Sequence, residues 1–397
     1  MGKKHKMLMK KTVAVCILTG LFLGGHTTVR AEEDIYAEQI SQEVWEEVIP
    51  EIEGLSYQSS MELDYAQRFD LHYYNDGYAV IDIYGSEKYL VVPEDMPVPE
   101  HLEENMKVLQ KPLNQIYLTA TSAMALFDEL DALDCIRLSG TNTNGWYIDR
   151  AVEAMENGEM IFAGKYNEPD YELLIDEECN LSIQSTMILH SPKVKEMLED
   201  LGIPVFVEYS TYEPHPLGKP EWSRLYGFLT GKEEAADAFM EKQKKIIAGL
   251  ENFTNTEKTV AYFYVNTNGQ AVVREISDYI PAIIELAGGR YIFSEQVSME
   301  NSSSTATITM EEFYEAAVNA DYLVYNASID GPVSTLEELY AKSGLFADFK
   351  AVREGNVWCT GKQMFQASNM VAEFVMDFNR MLTGSEGNDM IFFHKVQ

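Results

Sequence analysis

Residues 230–250, TGKEEAADAFMEKQKKIIAGL, constrain this chain more than any other stretch. The run holds no proline, and Ala235, Ala236, Phe239, Gln243, Ile246, Ile247 and Leu250 recur at three- and four-residue intervals beside a charged face. That is the pattern of an amphipathic helix. Thr230 is placed to act as N-cap, with Glu233 three residues on to close a capping box. The polar run from Asn252 stops it. At 1.5 Å per residue the helix would span about 30 Å, the width of a small domain. Sequence of comparable size flanks it on both sides, so the expected architecture is two lobes joined by one helical strut.

Both flanks alternate strand and helix. Before the strut, QIYLT, CIRLSG, MIFAG, LSIQS and PVFVEYS read as strands. Between them lie helical segments opening at Thr121 and Ser122 and running over residues 148–155, 170–176 and 192–201. Strands separated by helical segments in this way imply βαβ units and a parallel sheet. After the strut the pattern returns: TVAYFYVN, AVVRE, DYLVYN and NVWCT are strands, and residues 278–286, 310–317, 336–341 and 367–382 are helical. Ahead of the first lobe, FDLHYYNDGYAVIDIYGSEKYLVV has a period of two, and Asn75-Asp76-Gly77 is a tight-turn signal. This spells a β-hairpin followed by a third strand. The fold class is therefore α/β: two Rossmann-like lobes joined by a single long α-helix, with an N-terminal β-hairpin elaboration. The segments are 1–31 signal peptide, 32–57 acidic leader of helical pattern and loose attachment, 58–229 first lobe with its hairpin, 230–252 linking helix, and 253–397 second lobe.

The first 31 residues carry the signals of export. Lys3, Lys4, Lys6, Lys10 and Lys11 precede an apolar run over residues 13–23, too short to span a bilayer comfortably, and Val29-Arg30-Ala31 offers small residues at a cleavage site. A retained N-terminal anchor is the alternative. Cys16 invites a lipid anchor, but Val15 stands before it where such a motif takes Gly, Ala or Ser. The formal net charge is −34, and removal of the basic leader would make the remainder more acidic still. Such a chain repels nucleic acid and anionic membrane. Cys135, Cys179 and Cys359 are odd in number, widely spaced and in apolar contexts, which favours buried thiols over a disulfide framework.

The phrases TATSAM, NEPDYELLIDEECNLSI, LEDLGIPVFVEYSTY, IPAIIELAGGRYIF and ITMEEFYEAAVNADYLVYN, in this order around a central helix, resemble substrate-binding proteins of ABC importers for ferric siderophores, haem and cobalamin. The resemblance runs over roughly residues 60–385. The hairpin with NDGY is similar to an elaboration in Gram-positive members. The family implies a ligand held in a cleft between two lobes, a helical backbone that limits closure to the order of a few degrees, and a permease as partner. It also implies an exposed glutamate near a helix start on each lobe that engages permease arginines; by phrase these are Glu172 and Glu311, with Glu312 as alternative. An acid in a first helical turn is equally favoured by the helix dipole.

In a two-lobed α/β protein, ligand contacts come from loops at the carboxyl ends of strands. That rule selects Thr121, Ser122, Trp146, Tyr147, Thr186, Met187, Tyr209 and Tyr212 from the first lobe, and Asn266, Arg274, Asn326, Gln363, Met364 and Phe365 from the second. Aromatic and Met side chains there suit a flat, conjugated or greasy ligand, and Arg274 suits an anionic group on it. His190 and His215 follow predicted strands and fit either an axial metal ligand or a loop hydrogen bond. No catalytic set emerges: Gly-x-Ser-x-Gly, Walker A and His-Glu-x-x-His are absent. The expected protein is a non-enzymatic, monomeric, exported binding protein for a small-molecule metal chelate, without resident cofactor or metal. The alternatives are a metal chelatase on the same architecture, a bare metal-ion binder, and a surface haem-capture or adhesion protein.

Overall fold

The structure, a computed structural model, describes residues 49–397 apart from Gly85, Glu104, Glu251, Asn252, Ser277, residues 295–303 and residues 386–389. The export signal and most of the acidic leader lie outside the described residues. The end of that leader is neither helical nor loose. Ile52 is buried in a small core, and Tyr74 donates its hydroxyl to the carbonyl of Pro50.

Three sheets carry the fold. The first consists of β1 (Tyr57–Ser60), β2 (Phe69–Tyr74), β3 (Ala79–Ile83), β4 (Lys88–Val92) and β5 (Met106–Gln110), in that order. The expected hairpin is β2–β3. Its turn puts Asp76 and Gly77 at φ 56° and 81°, the left-handed conformations that Asn-Asp-Gly sequences tolerate. Alternation sorts the side chains: Ile81, Tyr89 and Val91 enter the large first core, whereas Val80, Leu90 and Val92 pack with Ile52, Tyr74 and Tyr78 on the other face. The strands β1 and β5 were not legible as part of this sheet.

The second sheet has the order β12-β11-β6-β7-β8 and is parallel throughout. Its strands are β6 (Ile116–Leu118), β7 (Ile136–Ser139), β8 (Ile161–Phe162), β11 (Leu181–Ser185) and β12 (Val205–Glu208), and a short ribbon of β9 (Gly164–Lys165) and β10 (Glu168–Pro169) interrupts the series. Helices α1 (Thr121–Glu129), α2 (Asp149–Glu156), α3 (Tyr171–Asp176) and α4 (Pro192–Asp200) connect them, as the spacing predicts.

The third sheet departs from expectation, being mixed. Its parallel centre is β13 (Thr259–Val265), β17 (Tyr322–Tyr325) and β18 (Val357–Thr360). Antiparallel β14 (Ala271–Arg274), β16 (Thr305–Ile308) and β19 (Phe393–Lys395) flank it, and β15 (Arg290–Tyr291) pairs with β13. The link from Asn266 to Gln270 is too short for a crossover, so β14 returns antiparallel on β13.

The strut also differs. A separate helix, α5 (Gly218–Thr230), precedes it, and the linking helix α6 runs over Glu233–Ile247. Thr230 is the last residue of α5, not the cap of α6: its hydroxyl donates back to the Tyr226 carbonyl at 2.8 Å. Gly231, at φ 71°, ends α5 in the left-handed conformation, and Lys232 takes the N-cap position. At its observed length α6 spans about 22 Å. The two helices approach closely where α5 carries Gly227; a Cβ there would lie 3.0 Å from Ala236 Cβ and from the Lys232 carbonyl oxygen. Beyond the strut follow α7 (Tyr279–Leu286), α8 (Met310–Ala317), α9 (Ala327–Asp330), α10 (Leu336–Lys342), α11 (Lys350–Glu354) and α12 (Val371–Thr383).

The apolar stripe of α6 is divided between two cores. Ala236, Phe239 and Met240 belong to the core of the first two sheets, whereas Ile247, and Leu250 beyond the helix, belong to the core of the third. Gln243 lies between them, fully buried. Its amide donates to the Asn369 carbonyl and to Glu373, and accepts the Ala372 N–H at 3.1 Å.

Two buried carboxylates fasten the first sheet to this junction. Glu221 of α5 accepts the N–H groups of Asp64, Tyr65 and Ala66 at 3.0, 2.7 and 2.7 Å. Glu213 accepts those of Gln67 and Arg68 and the Trp222 indole N–H at 2.7, 3.1 and 2.8 Å. Tyr65, stacked on His215 with ring centroids 4.5 Å apart, packs against both cores. Burial pushes Glu213 up to about 7, against the opposing hydrogen bonds from Trp222, Gln67 and Arg68. A carboxyl whose folded pKa lies above its unfolded value of 4.5 binds the extra proton in the folded state, so its contribution to stability is lost as pH rises through this window. The loss is on the order of 3 kcal/mol. Urea unfolding at pH 4.5 and pH 8 is expected to show this component in the wild type and not in Glu213→Gln, whose overall stability is lower by about 1–3 kcal/mol. An identical pH slope in the two proteins contradicts the assignment.

Candidate functional site

The carboxyl ends of β7 and β18 bring the two halves of the molecule together. After β7 the chain turns through Thr143–Gly145; after β18 it turns through Lys362–Gln366 and Ser368–Met370. The Gln366 side chain reaches across from the second turn to the first. Its Oε1 accepts the Tyr147 N–H at 2.8 Å and its Nε2 donates to the Gly145 carbonyl at 2.7 Å. Beside this bridge the rings of Tyr147 and Phe365 meet edge to face at 6.2 Å. Both are large side chains exposed to solvent, at 48% and 37%. Asn369 makes a second tie, donating to Glu129 of α1 at 3.2 Å.

Around the starts of α5 and α7 lies a group of charges of which the sequence pointed only to Arg274. Glu208, at the end of β12, accepts the Ser122 hydroxyl and the Ser210 N–H, each at 3.2 Å. Lys219 is buried with its ammonium 4.8 Å from the Tyr279 ring centroid. Asp278 caps α7 through the Ile280 N–H and pairs with Arg274 at 3.2 Å. Burial pushes Glu208 and Asp278 up, with Lys219 opposing the rise in both. It pushes Lys219 down against the pull of Glu208 and Asp278. Burial also disfavours the Arg274 charge, but Asp278 and the tyrosines at 262, 279 and 291 outweigh it and hold the guanidinium above its ordinary range. Such charges persist in a dry place only as mutual partners.

The expected ligand residues fall into distinct settings. Tyr147, Met187 and Phe365 are exposed, and Thr121, Thr186, Tyr212 and Gln363 are half-buried. Tyr209 is buried beside Tyr212, ring centroids 6.1 Å apart, and Ser122 serves Glu208. Met364 is buried and its sulfur accepts the Tyr279 hydroxyl at 3.7 Å. Trp146 is a core residue whose indole donates to the Ser139 hydroxyl and the Thr141 carbonyl. Asn266 spends its carbonyl oxygen on the turn amides of Asn268 and Gln270, and buried Asn326 caps α9 through the Ser328 N–H. Arg274 lies opposite the middle of β13, away from the strand end, because β14 runs antiparallel. His215 accepts the Leu217 N–H at Nδ1, and His190 is exposed at the end of the turn after β11. Gln366 was adjacent to residues singled out from sequence, but nothing in the sequence set it apart from Gln363.

The chain belongs to the periplasmic binding protein family, whose sequence model matches residues 119–364, more than half of its length. The β1–β5 sheet precedes that match. The chain is 25% identical over 351 residues to the uncharacterized lipoprotein MJ0878 of Methanocaldococcus jannaschii, covering 81% of each. Among solved structures it is similar to a periplasmic heme binding protein from Pseudomonas aeruginosa, with a TM-score of 0.55 at 13% identity, covering 72% of this chain and 98% of that one. It is similar also to an ABC-type Fe3+-hydroxamate transport system protein from Saccharomonospora viridis, with a TM-score of 0.52 at 17% identity, covering 69% and 94%. At these identities the likeness to solved structures is one of fold.

The pairing of Arg274 with Asp278 makes a direct prediction. Asp278 is almost entirely buried, so Arg274→Ala strands its charge and is expected to cost about 3–5 kcal/mol in urea unfolding. Adding Asp278→Asn, which keeps a capping side chain, should restore part of that loss. An Arg274→Ala protein as stable as the wild type would instead leave Arg274 available for a ligand.

Proposed function

We propose that this protein is an extracytoplasmic substrate-binding protein that captures a metal chelate, of the iron-siderophore, haem or corrinoid kind, between its two lobes and delivers it to an ABC permease. The observation that carries this reading is the meeting of exposed Tyr147 and Phe365 from opposite halves of the molecule at strand carboxyl ends. Exposed aromatic faces offer a flat conjugated ligand large contact area at little entropic cost. The relatives that bear the same fold and are described as heme-binding or as hydroxamate transport proteins support the chelate class. The apolar run of the leader and the lipoprotein relative support export. Ferric siderophores, haemin and cobalamin, each added to the purified protein at about 100 times its dissociation constant, would raise stability by about 2.7 kcal/mol for a true ligand. An upward thermal shift with one of the three is expected, and no shift with any of them would sink the chelate assignment. A shift with bare zinc or manganese would move the protein to the metal-ion subclass; among the described residues no group of three or more His, Cys, Asp or Glu side chains converges to hold a metal ion.

Docking falls to one exposed glutamate on each lobe. Glu172 lies in the first turn of α3 and Glu311 in the first turn of α8, both exposed. Glu312, the alternative, is engaged as the return arm of a capping box, its carboxylate accepting the Thr309 N–H at 2.8 Å. That leaves Glu311 as the partner of Glu172. In cells expressing the cognate permease, the double variant Glu172→Lys/Glu311→Lys is expected to keep wild-type ligand affinity while uptake falls tenfold or more. Undiminished uptake by the stable, ligand-competent double variant would rule the docking pair out.

A further inference from the structure

We infer that Gln366 is a positioning residue that sets how far the cleft is closed, acting as a latch between the lobes. The inference rests on the binding reading above, and its first test needs no ligand. A glutamine side chain is a peptide group in miniature, with one strong acceptor and one donor pair on a planar unit. Gln366 presents both to residues 145–147 in the way one strand addresses the edge of another: acceptor to the Tyr147 N–H at 2.8 Å, donor to the Gly145 carbonyl at 2.7 Å. Gln366 lies 219 and 221 positions along the chain from the two residues it binds, on the opposite side of α6. The side chain is 1% exposed, so the contact is dry, yet both backbone groups sit on a surface turn that water would solvate once the lobes part. Such an exchange of protein for water hydrogen bonds is modest in net strength. The pair therefore biases opening without forbidding it, as a binding protein that must release its cargo requires.

Its place gives it more leverage than the neighbouring tie. Asn369 donates its side-chain amide to Glu129, but its backbone carbonyl is held by Gln243 of α6, and Glu129 also pairs with Lys242 of α6 at 3.6 Å. That tie is thus anchored on the linking helix, where the lobes move least. Gln366 has no such tether to α6 among the described residues and holds the lip, where it also fixes Tyr147 against Phe365. Closing the lip positions the two aromatic rings that face a ligand.

The test is amide hydrogen exchange on the full mature chain without ligand, read at the Tyr147 N–H. The Ser182 and Leu323 amides, bonded within the second and third sheets, serve as controls. In Gln366→Ala, Tyr147 exchange is expected to rise about tenfold, with both controls unchanged. Gln366→Glu supplies a second readout. Protonated, its carboxyl can donate to the Gly145 carbonyl and restore both bonds; ionised, it opposes that carbonyl. Relative to wild type at the same pH, Tyr147 protection in Gln366→Glu should be near normal at about pH 4 and lost at about pH 7.5. Wild-type protection in Gln366→Ala, equal loss at all three amides, or a Gln366→Glu ratio that ignores pH would each overturn the latch. With a chelate identified by thermal shift, Gln366→Ala should speed its dissociation about tenfold. Failure of every chelate to bind would defeat the binding reading and leave the exchange result standing on its own.

Discussion

The division of one apolar stripe between two cores is the constraint on which the rest depends. Phe239 and Met240 are buried in the first core and Ile247 in the second, on a helix only fifteen residues long. Each such side chain contributes about 1.5–3 kcal/mol when fully buried, so the helix cannot leave either core without a large loss. Gln243 occupies the crossing point and binds the Asn369 carbonyl and the Ala372 N–H of the second half. Hydrophobic burial fixes the strut at both ends; a satisfied buried amide fixes its rotation.

The N-terminal sheet is fastened to the same junction by electrostatics. Five backbone N–H groups from Asp64 to Arg68 converge on the carboxylates of Glu221 and Glu213. Neither acid has another carboxyl group's usual recourse to water, since both are fully buried, and hydrogen bonds from backbone amides replace solvation. The consequence is a segment locked along the start of α5, with Tyr65 and His215 stacked where both cores meet.

Glu208, Lys219 and Asp278 are buried charges, and half-buried Arg274 pairs with Asp278. Glu208 is held by hydrogen bonds, Asp278 and Arg274 by each other, and the Lys219 ammonium by the Tyr279 ring. Removing any single member leaves another exposed to a low dielectric. Buried charges of this kind specify which faces meet, whereas Tyr147, Met187 and Phe365 remain exposed.

The alternation of strand and helix, the Asn75–Gly77 turn and the amphipathic linking helix were all legible in the sequence, because periodicity and turn chemistry act over a few neighbouring residues. Local pattern misled at Thr230, where Thr-x-x-Glu spells a capping box. The left-handed Gly231 ends one helix there, and the threonine hydroxyl bonds back within it. The antiparallel course of β14, the burial of Trp146 and Asn326, and the pairing of Arg274 with Asp278 were decided only in three dimensions. So was the difference between Gln363 and Gln366, two identical side chains three residues apart. What separates them is a backbone segment more than 200 residues away, brought within hydrogen-bonding distance by the packing of two cores on one helix.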